Sequence, residues 1–182
     1  MNNHVCKDVK DFPIEKFHQI GKGKGKHILF IGESPAPNGW RVSGLACYRS
    51  DGKILPTGKR LNELLLPFDL TIKESGFTEL VKCFVSKRSE LESCGEKCFP
   101  ILLAQLRKKR YKLIVLLGVQ TTKIFSKLIK QDLKLGEIQL ITLNKVQYSV
   151  LPLYHPSPVN PTGHRKNLVI FDELKEKIRN LL

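Results

Sequence analysis

Two short stretches set reactive side chains among prolines. In GESPAP, Glu33 and Ser34 stand between Gly32 and Pro35, with Pro37 close behind. In YHPSPVNP, His155 runs straight into Pro156, and Ser157 lies between Pro156 and Pro158. Proline fixes φ, so a loop built on it presents its neighbouring groups already ordered. A carboxylate, a hydroxyl and an imidazole held still in this way suit polar chemistry on a bound ligand. Each has a plainer reading, His155 as a strand-end histidine closed by a turn and Glu33 as a carboxylate capping the next turn. Two such loops in one chain, each leaving an apolar strand, favour the functional reading.

The elements that position these loops follow from apolar periodicity. Residues 28–31 read as a buried strand, and 59–66 as a helix with Leu61, Leu64 and Leu65 on one face. Residues 77–81 are strand-like, and 97–110 form a basic amphipathic helix whose apolar face carries Ile101, Leu102 and Leu106. The clearest buried strand is 113–117, closed by Gly118. A helix over 120–128, a strand over 148–153 and a closing helix over 172–182 complete the pattern. Strands alternating with helices predict a three-layer α/β/α sandwich around a central, mostly parallel sheet of four or five strands. In such sheets ligands bind beyond the carboxyl ends of the strands. Both proline loops leave strands at that edge, so they are expected to face each other across one site.

The 182 residues, 41% of them hydrophobic, suffice for one domain over 1–182, of which 1–25 form a basic N-terminal extension. No apolar run approaches the roughly 18 residues that span a bilayer, and the N-terminus lacks a signal-peptide core. The expectation is a cytoplasmic monomer with no membrane partner. Thirty-one Lys and Arg against 17 Asp and Glu leave a net charge of +14, which favours a polyanionic partner, nucleic acid first and an anionic membrane second. The plainer alternative is a solvated lysine-rich surface. GKGKGK, at 21–26, precedes a strand and lacks a Gly-Lys-Ser/Thr sequence, so it reads as a basic turn and not a phosphate loop. Cysteines in a cytosolic chain argue against a disulfide framework.

GESPA together with HPSP resembles the two active-site motifs of the uracil-DNA glycosylase superfamily. The first is similar to the Gly-Glu-Ala-Pro-Gly of its thermophilic and iron–sulfur branches, the second to the His-Pro-Ser-Pro of its classical branch. Between them LPTGKRLNELL, FTELVKC and LIVLLGVQTTKIF resemble, in order, the helix after the first motif, the Thr-Asn-x-Val-Lys-Cys segment and the strand-glycine-helix that follows. The resemblance runs from about Lys26 to the end of the chain. It implies hydrolysis of a base–deoxyribose bond without a cofactor. His155 would stabilise the departing base, and Glu33 or Ser34 would place the attacking water. Gly32, Glu33, Glu79 and His155 would contact the base, with Tyr48 or Trp40 as the aromatic platform. On single- or double-stranded DNA, Ser157 would hold a phosphate near Arg165 and Lys166. The loop SPVNPTGHRK would follow the minor groove, with Val159 or Asn160 filling the space the base vacates.

The sequence departs from the family in several places. Ser34 stands where the classical branch has an aspartate, and a hydroxyl is a poor base. Glu79 occupies the position of the uracil-reading asparagine. An ionised carboxylate only accepts hydrogen bonds, so it suits an amino group on the base or must be protonated to mimic the amide. Ala36 replaces a tyrosine that excludes methylated bases, and Pro56 falls near the place of the family's phenylalanine. Cys83 and Cys98 match two ligands of the iron–sulfur branch. Cys6 lacks its upstream partner, and Cys94 could serve as a fourth thiolate only at a different spacing. Buried thiols are the alternative for all of these.

Three functions fit these residues. One is a DNA glycosylase of base excision repair acting on uracil or another deaminated or damaged base. A second is a DNA-binding or damaged-base-binding protein of the same fold that catalyses weakly or not at all. A third, an α/β enzyme acting on free nucleotides, leaves the basic charge without a use.

Overall fold

The computed structural model describes residues 27–36 and 39–182. Cys6, the GKGKGK turn, Pro37 and the basic extension lie outside the described residues. Five strands form one sheet in the order β2-β1-β3-β5-β4. They are β1 (Ile28–Gly32), β2 (Gly76–Glu79), β3 (Leu113–Leu117), β4 (Gln139–Leu143) and β5 (Val146–Leu153). β1, β2, β3 and β5 run parallel, and β4 joins the edge antiparallel to β5. β3 and residues 28–31 of β1 are apolar throughout because helices cover both faces.

Alternation along each strand divides the core in two. Leu29, Ile31, Ile114, Leu116 and Val150 point to one side, against α3 (Leu91–Lys108) and α4 (Val119–Ile129). Ile28, Phe30, Val115, Leu151 and Leu153 point to the other. There they meet α2 (Pro56–Leu65), α5 (Pro161–Glu173), α6 (Lys175–Leu181) and the short α1 (Trp40–Ser43). The three-layer sandwich expected from the sequence is the fold.

Several boundaries differ from those expectations. α3 starts at Leu91 and not near 97, because Leu91, Gly95 and Cys98 already lie on its buried face. β4 was not expected. It pairs with β5 through Asn144 and Lys145, both at positive φ (51° and 65°), as a tight two-residue hairpin requires. The SPVNPTGHRK segment is only partly a loop. Pro161 opens α5, and the Asn160 side chain accepts from Gly163 N at 2.9 Å, so Arg165 and Lys166 are helical. The closing helix expected over 172–182 is mainly α6; residues 172–173 are the end of α5, from which Leu174 divides it.

One side chain of α5 determines where β5 ends. Asn167 is fully buried; its Oδ1 accepts from Tyr154 N at 3.0 Å and its Nδ2 donates to Tyr154 O at 2.8 Å. The amide thus takes both main-chain groups of the residue that precedes His155. Replacing it by alanine strands both. Asn167→Ala is expected to destabilise the protein by about 2–4 kcal/mol, measured by denaturant unfolding. Asn167→Asp keeps the acceptor but turns a carboxyl oxygen onto Tyr154 O in a buried site, and should cost at least as much.

Candidate active site

The parallel strands all deliver their carboxyl ends to one edge of the sheet. A cavity of about 630 Å³ opens there, lined by Glu33, Ser34 and Ala36 after β1, by Glu79 at the end of β2 and by Gly118 after β3. His155, Ser157, Val159 and Asn160 after β5 close the opposite side. The two proline loops therefore face each other across one space. Its position is where connections from neighbouring strands diverge, β1 crossing to β2 on one side and β2 to β3 on the other.

The first loop is stitched to the chain beyond β2. Gly32 O accepts from Leu80 N at 2.8 Å, and Glu33 O accepts from Val81 N at 2.9 Å. Gly32 itself lies in β1 and makes no tight turn. It is glycine for another reason: the Glu79 carboxyl occupies the space where a Cβ would stand. The Glu33 carboxylate accepts from Arg88 Nη2 at 2.8 Å, which occupies one of its oxygens and aims the group. Arg88 is 71% exposed, so the pair contributes orientation more than stability.

The second loop rests on Gly118. That residue sits at φ +110°, and a Cβ there would touch His155 Cβ at 3.5 Å. Its N–H donates to Leu153 O at 2.8 Å, fixing β5 against the start of α4. The His155 ring reaches the cavity, but the protein around it lowers its pKa below the ordinary histidine value, with the Glu33 carboxylate opposing that shift. At neutral pH it is therefore an uncharged imidazole. Arg60 of α2 donates to Ser157 O, and Ser157 Oγ accepts from Val159 N at 3.4 Å. Val159 is 91% exposed at the rim.

Glu79 is the most perturbed acid of the site. Its Oε2 is buried with no hydrogen-bond partner among the described residues. Burial raises its pKa to about 8, with Lys82 opposing and Glu33 adding to the rise. Lys82 is wholly buried behind it, and burial lowers the lysine to about 7. Its Nζ donates to Thr78 Oγ1 at 2.7 Å and to the Glu79 carbonyl. Thr78 Oγ1 in turn donates to Gln105 Oε1 at 2.9 Å. In the neighbouring wall, Cys47 has φ +64°, and burial pushes its thiol up to about 12.

Three sequence-derived positions sit elsewhere. Tyr48 is outside the cavity, bridging to Ile54 against the core; the aromatic walls are Phe30, Trp40 and Phe77. Phe77 stacks on Phe30 with centroids 5.3 Å apart. Arg165 and Lys166 line a separate surface depression beside Tyr154, with Lys166 Nζ 5.1 Å from that ring. Asn160 lines the cavity, but its side chain caps α5. Arg88, Cys47 and Asn167 went unnoticed in the sequence because no motif marks them, and Arg60 because nothing within LPTGKRLNELL singles it out; only the folded chain brings the four to the loops.

Cys83 and Cys98 are buried in one core cluster with Cys94 packed on it, and Cys98 Sγ accepts from Lys82 N at 3.4 Å. Among the described residues no group of three or more His, Cys, Asp and Glu side chains could hold a metal ion. The described thiols alone do not make a cluster site.

A family model for the uracil DNA glycosylase superfamily matches residues 19–179. The chain belongs to that superfamily. No curated protein matches it in sequence. Among solved structures, the crystal structure of wild-type Pedobacter heparinus SMUG2 is similar in fold. Its TM-score is 0.55 at 12% identity, covering 86% of this chain and 76% of that one. No helix among the described residues is long and apolar enough to cross a membrane.

The raised pKa of Glu79 has a consequence for stability. An unfolded glutamate ionises near its ordinary value of 4.5, whereas the folded one holds its proton to about 8. The unfolded chain thus loses the proton first, so stability falls as pH rises between those values and levels off above. Glu79→Gln removes this dependence. Melting temperatures should show the variant gaining on the wild type between about pH 5 and pH 8, with a constant difference above.

Proposed function

We propose that the protein is a DNA glycosylase that hydrolyses the base–deoxyribose bond of a deaminated or damaged base. The observation that carries this reading is the single cavity at the strand ends, with Glu33 and Ser34 on one wall and His155 on the other. Breaking this bond develops positive charge on the sugar and negative charge on the leaving base. A neutral imidazole donates to a base carbonyl oxygen and strengthens that bond as charge arrives, with no ion to desolvate beforehand. Glu33, aimed by Arg88, and Ser34 hold the water that attacks the sugar from the other side. No cofactor is needed for this step.

A base within a duplex cannot reach the bottom of such a cavity, so the nucleotide is extruded. Val159, apolar and exposed at the rim, fills the vacated space, while Asn160 is retained by α5. Ser157 holds a neighbouring phosphate. Arg165 and Lys166 add charge farther along the backbone, which makes binding steeply salt-dependent. A second reading, a DNA-binding protein with little activity, is favoured by Ser34 at the water site and by the commitment of Glu33 to Arg88.

Labelled oligonucleotides carrying uracil, hypoxanthine, xanthine or a methylated base, single- and double-stranded, distinguish the two. After incubation, alkali cleaves any abasic site. Scission is expected on at least one substrate, falling by about a hundredfold or more in His155→Ala and by about tenfold or more in Glu33→Ala. Binding at low salt with no scission on any substrate would establish the second reading.

A further inference from the structure

We infer that Glu79 reads the bound base as a neutral carboxylic acid, donating a hydrogen bond to a carbonyl oxygen of that base. The inference deepens the reading of the cavity as a base pocket and rests on it. The chemical class selected is a base with a ring carbonyl, as deamination creates, against the parent base with an amino group at the same position. This selection ends when the carboxyl ionises.

The geometry comes first. Glu79 closes β2 and lines the cavity, with its carboxyl seated against the bare Cα of Gly32. One oxygen, Oε2, is sealed there with no hydrogen-bond partner among the described residues. A carboxylate sealed in this way leaves negative charge without a donor, which is costly; a neutral acid can leave its carbonyl oxygen there at far less cost. The proton then belongs to the other oxygen.

The charged and titratable groups around Glu79 agree. Glu33, after β1, is a like charge, and its counter-ion Arg88 donates to Glu33. Cys47, from the segment before α2, is held as a thiol by its pKa of about 12. His155, after β5, is uncharged at neutral pH because the protein around its ring partly desolvates it and lowers its pKa. Lys82, beyond β2, attracts a negative charge, but its own burial disfavours the ammonium. Burial of the carboxyl outweighs that attraction and leaves Glu79 protonated up to about pH 8. A donor facing the cavity discriminates sharply, because a site built for one hydrogen-bonding partner leaves a buried group unpaired when the wrong one enters.

Single-turnover excision of uracil and of hypoxanthine, measured from about pH 6 to pH 9.5, tests the inference. Above the pKa of Glu79 the wild-type rate should fall about tenfold per pH unit, as the protonated fraction does. Glu79→Gln keeps a donor at every pH and should flatten that limb, although the base's own titration and that of His155 are shared by both proteins. Superimposable profiles for the two proteins would overturn the inference. If no base is excised by either protein, the glycosylase reading fails on its own, and binding decides the role of Glu79. Oligonucleotides with a 2′-fluorinated, uncleavable uracil or cytosine nucleotide serve as probes. The wild type should prefer uracil at about pH 6.5 and lose the preference by about pH 9. Glu79→Gln should keep it throughout. Equal affinity for both probes at all pH values would overturn the inference, and the wild-type series decides this even if the variant does not fold.

Discussion

The site is organised around the packing of one carboxyl group on one missing side chain. Gly32 and Glu79 are paired across neighbouring parallel strands, and the Glu79 carboxyl takes the volume that any side chain at position 32 would need. The ends of β1 and β2 are thereby held at a fixed separation. Successive main-chain bonds from Leu80 to Gly32 and from Val81 to Glu33 continue the pairing past the strands. The loop carrying Glu33 and Ser34 therefore leaves the sheet in one direction, set by backbone bonds and not by its prolines alone.

The facing loop is held by different means to the same end. β5 meets the start of α4 through Gly118, whose positive φ lets the chain turn directly beneath His155. Asn167 reaches back from α5 to take both polar groups of Tyr154. Arg60 secures the carbonyl of Ser157 from α2. Three separate elements thus converge on a stretch of only a few residues. This is how a loop can present an imidazole as accurately as a strand would.

Much of the layout was legible in the sequence because it depends on short-range signals. Uninterrupted apolar runs at 28–31 and 113–117 mark strands covered on both faces, and the glycine after each marks the edge where ligands bind. β4 escaped notice because Leu140, an exposed apolar residue, spoils the alternation, and because Asn144-Lys145 lacks the glycine that usually announces such a hairpin. α5 was read as a loop because prolines dominate its approach, although Asn160-Pro161 is itself a helix-starting pair. Of the two aromatics that follow the first motif, Tyr48 and Trp40, only Trp40 lines the cavity, and Tyr48 turns to the core. Tertiary packing turned it into the core side of a small bridge and gave the wall to Phe77 and Trp40, which lie in contact with the cavity.

Charge is divided between the surface and the cavity in a way that suits an uncharged ligand on a polyanion. The chain carries +14, yet the charged or titratable side chains lining the cavity are Glu33, Glu79, Arg88, His155 and Cys47. Of these, Arg88 is paired with Glu33, while burial keeps Glu79 protonated and Cys47 a thiol, and partial desolvation holds His155 uncharged at neutral pH. The positive charge therefore resides outside the cavity, on side chains such as Arg165 and Lys166. A cavity rich in cations would retain a phosphate group in place of a base. A nearly neutral cavity with pre-aimed donors favours the charge only as it forms, which is the condition under which binding energy becomes rate.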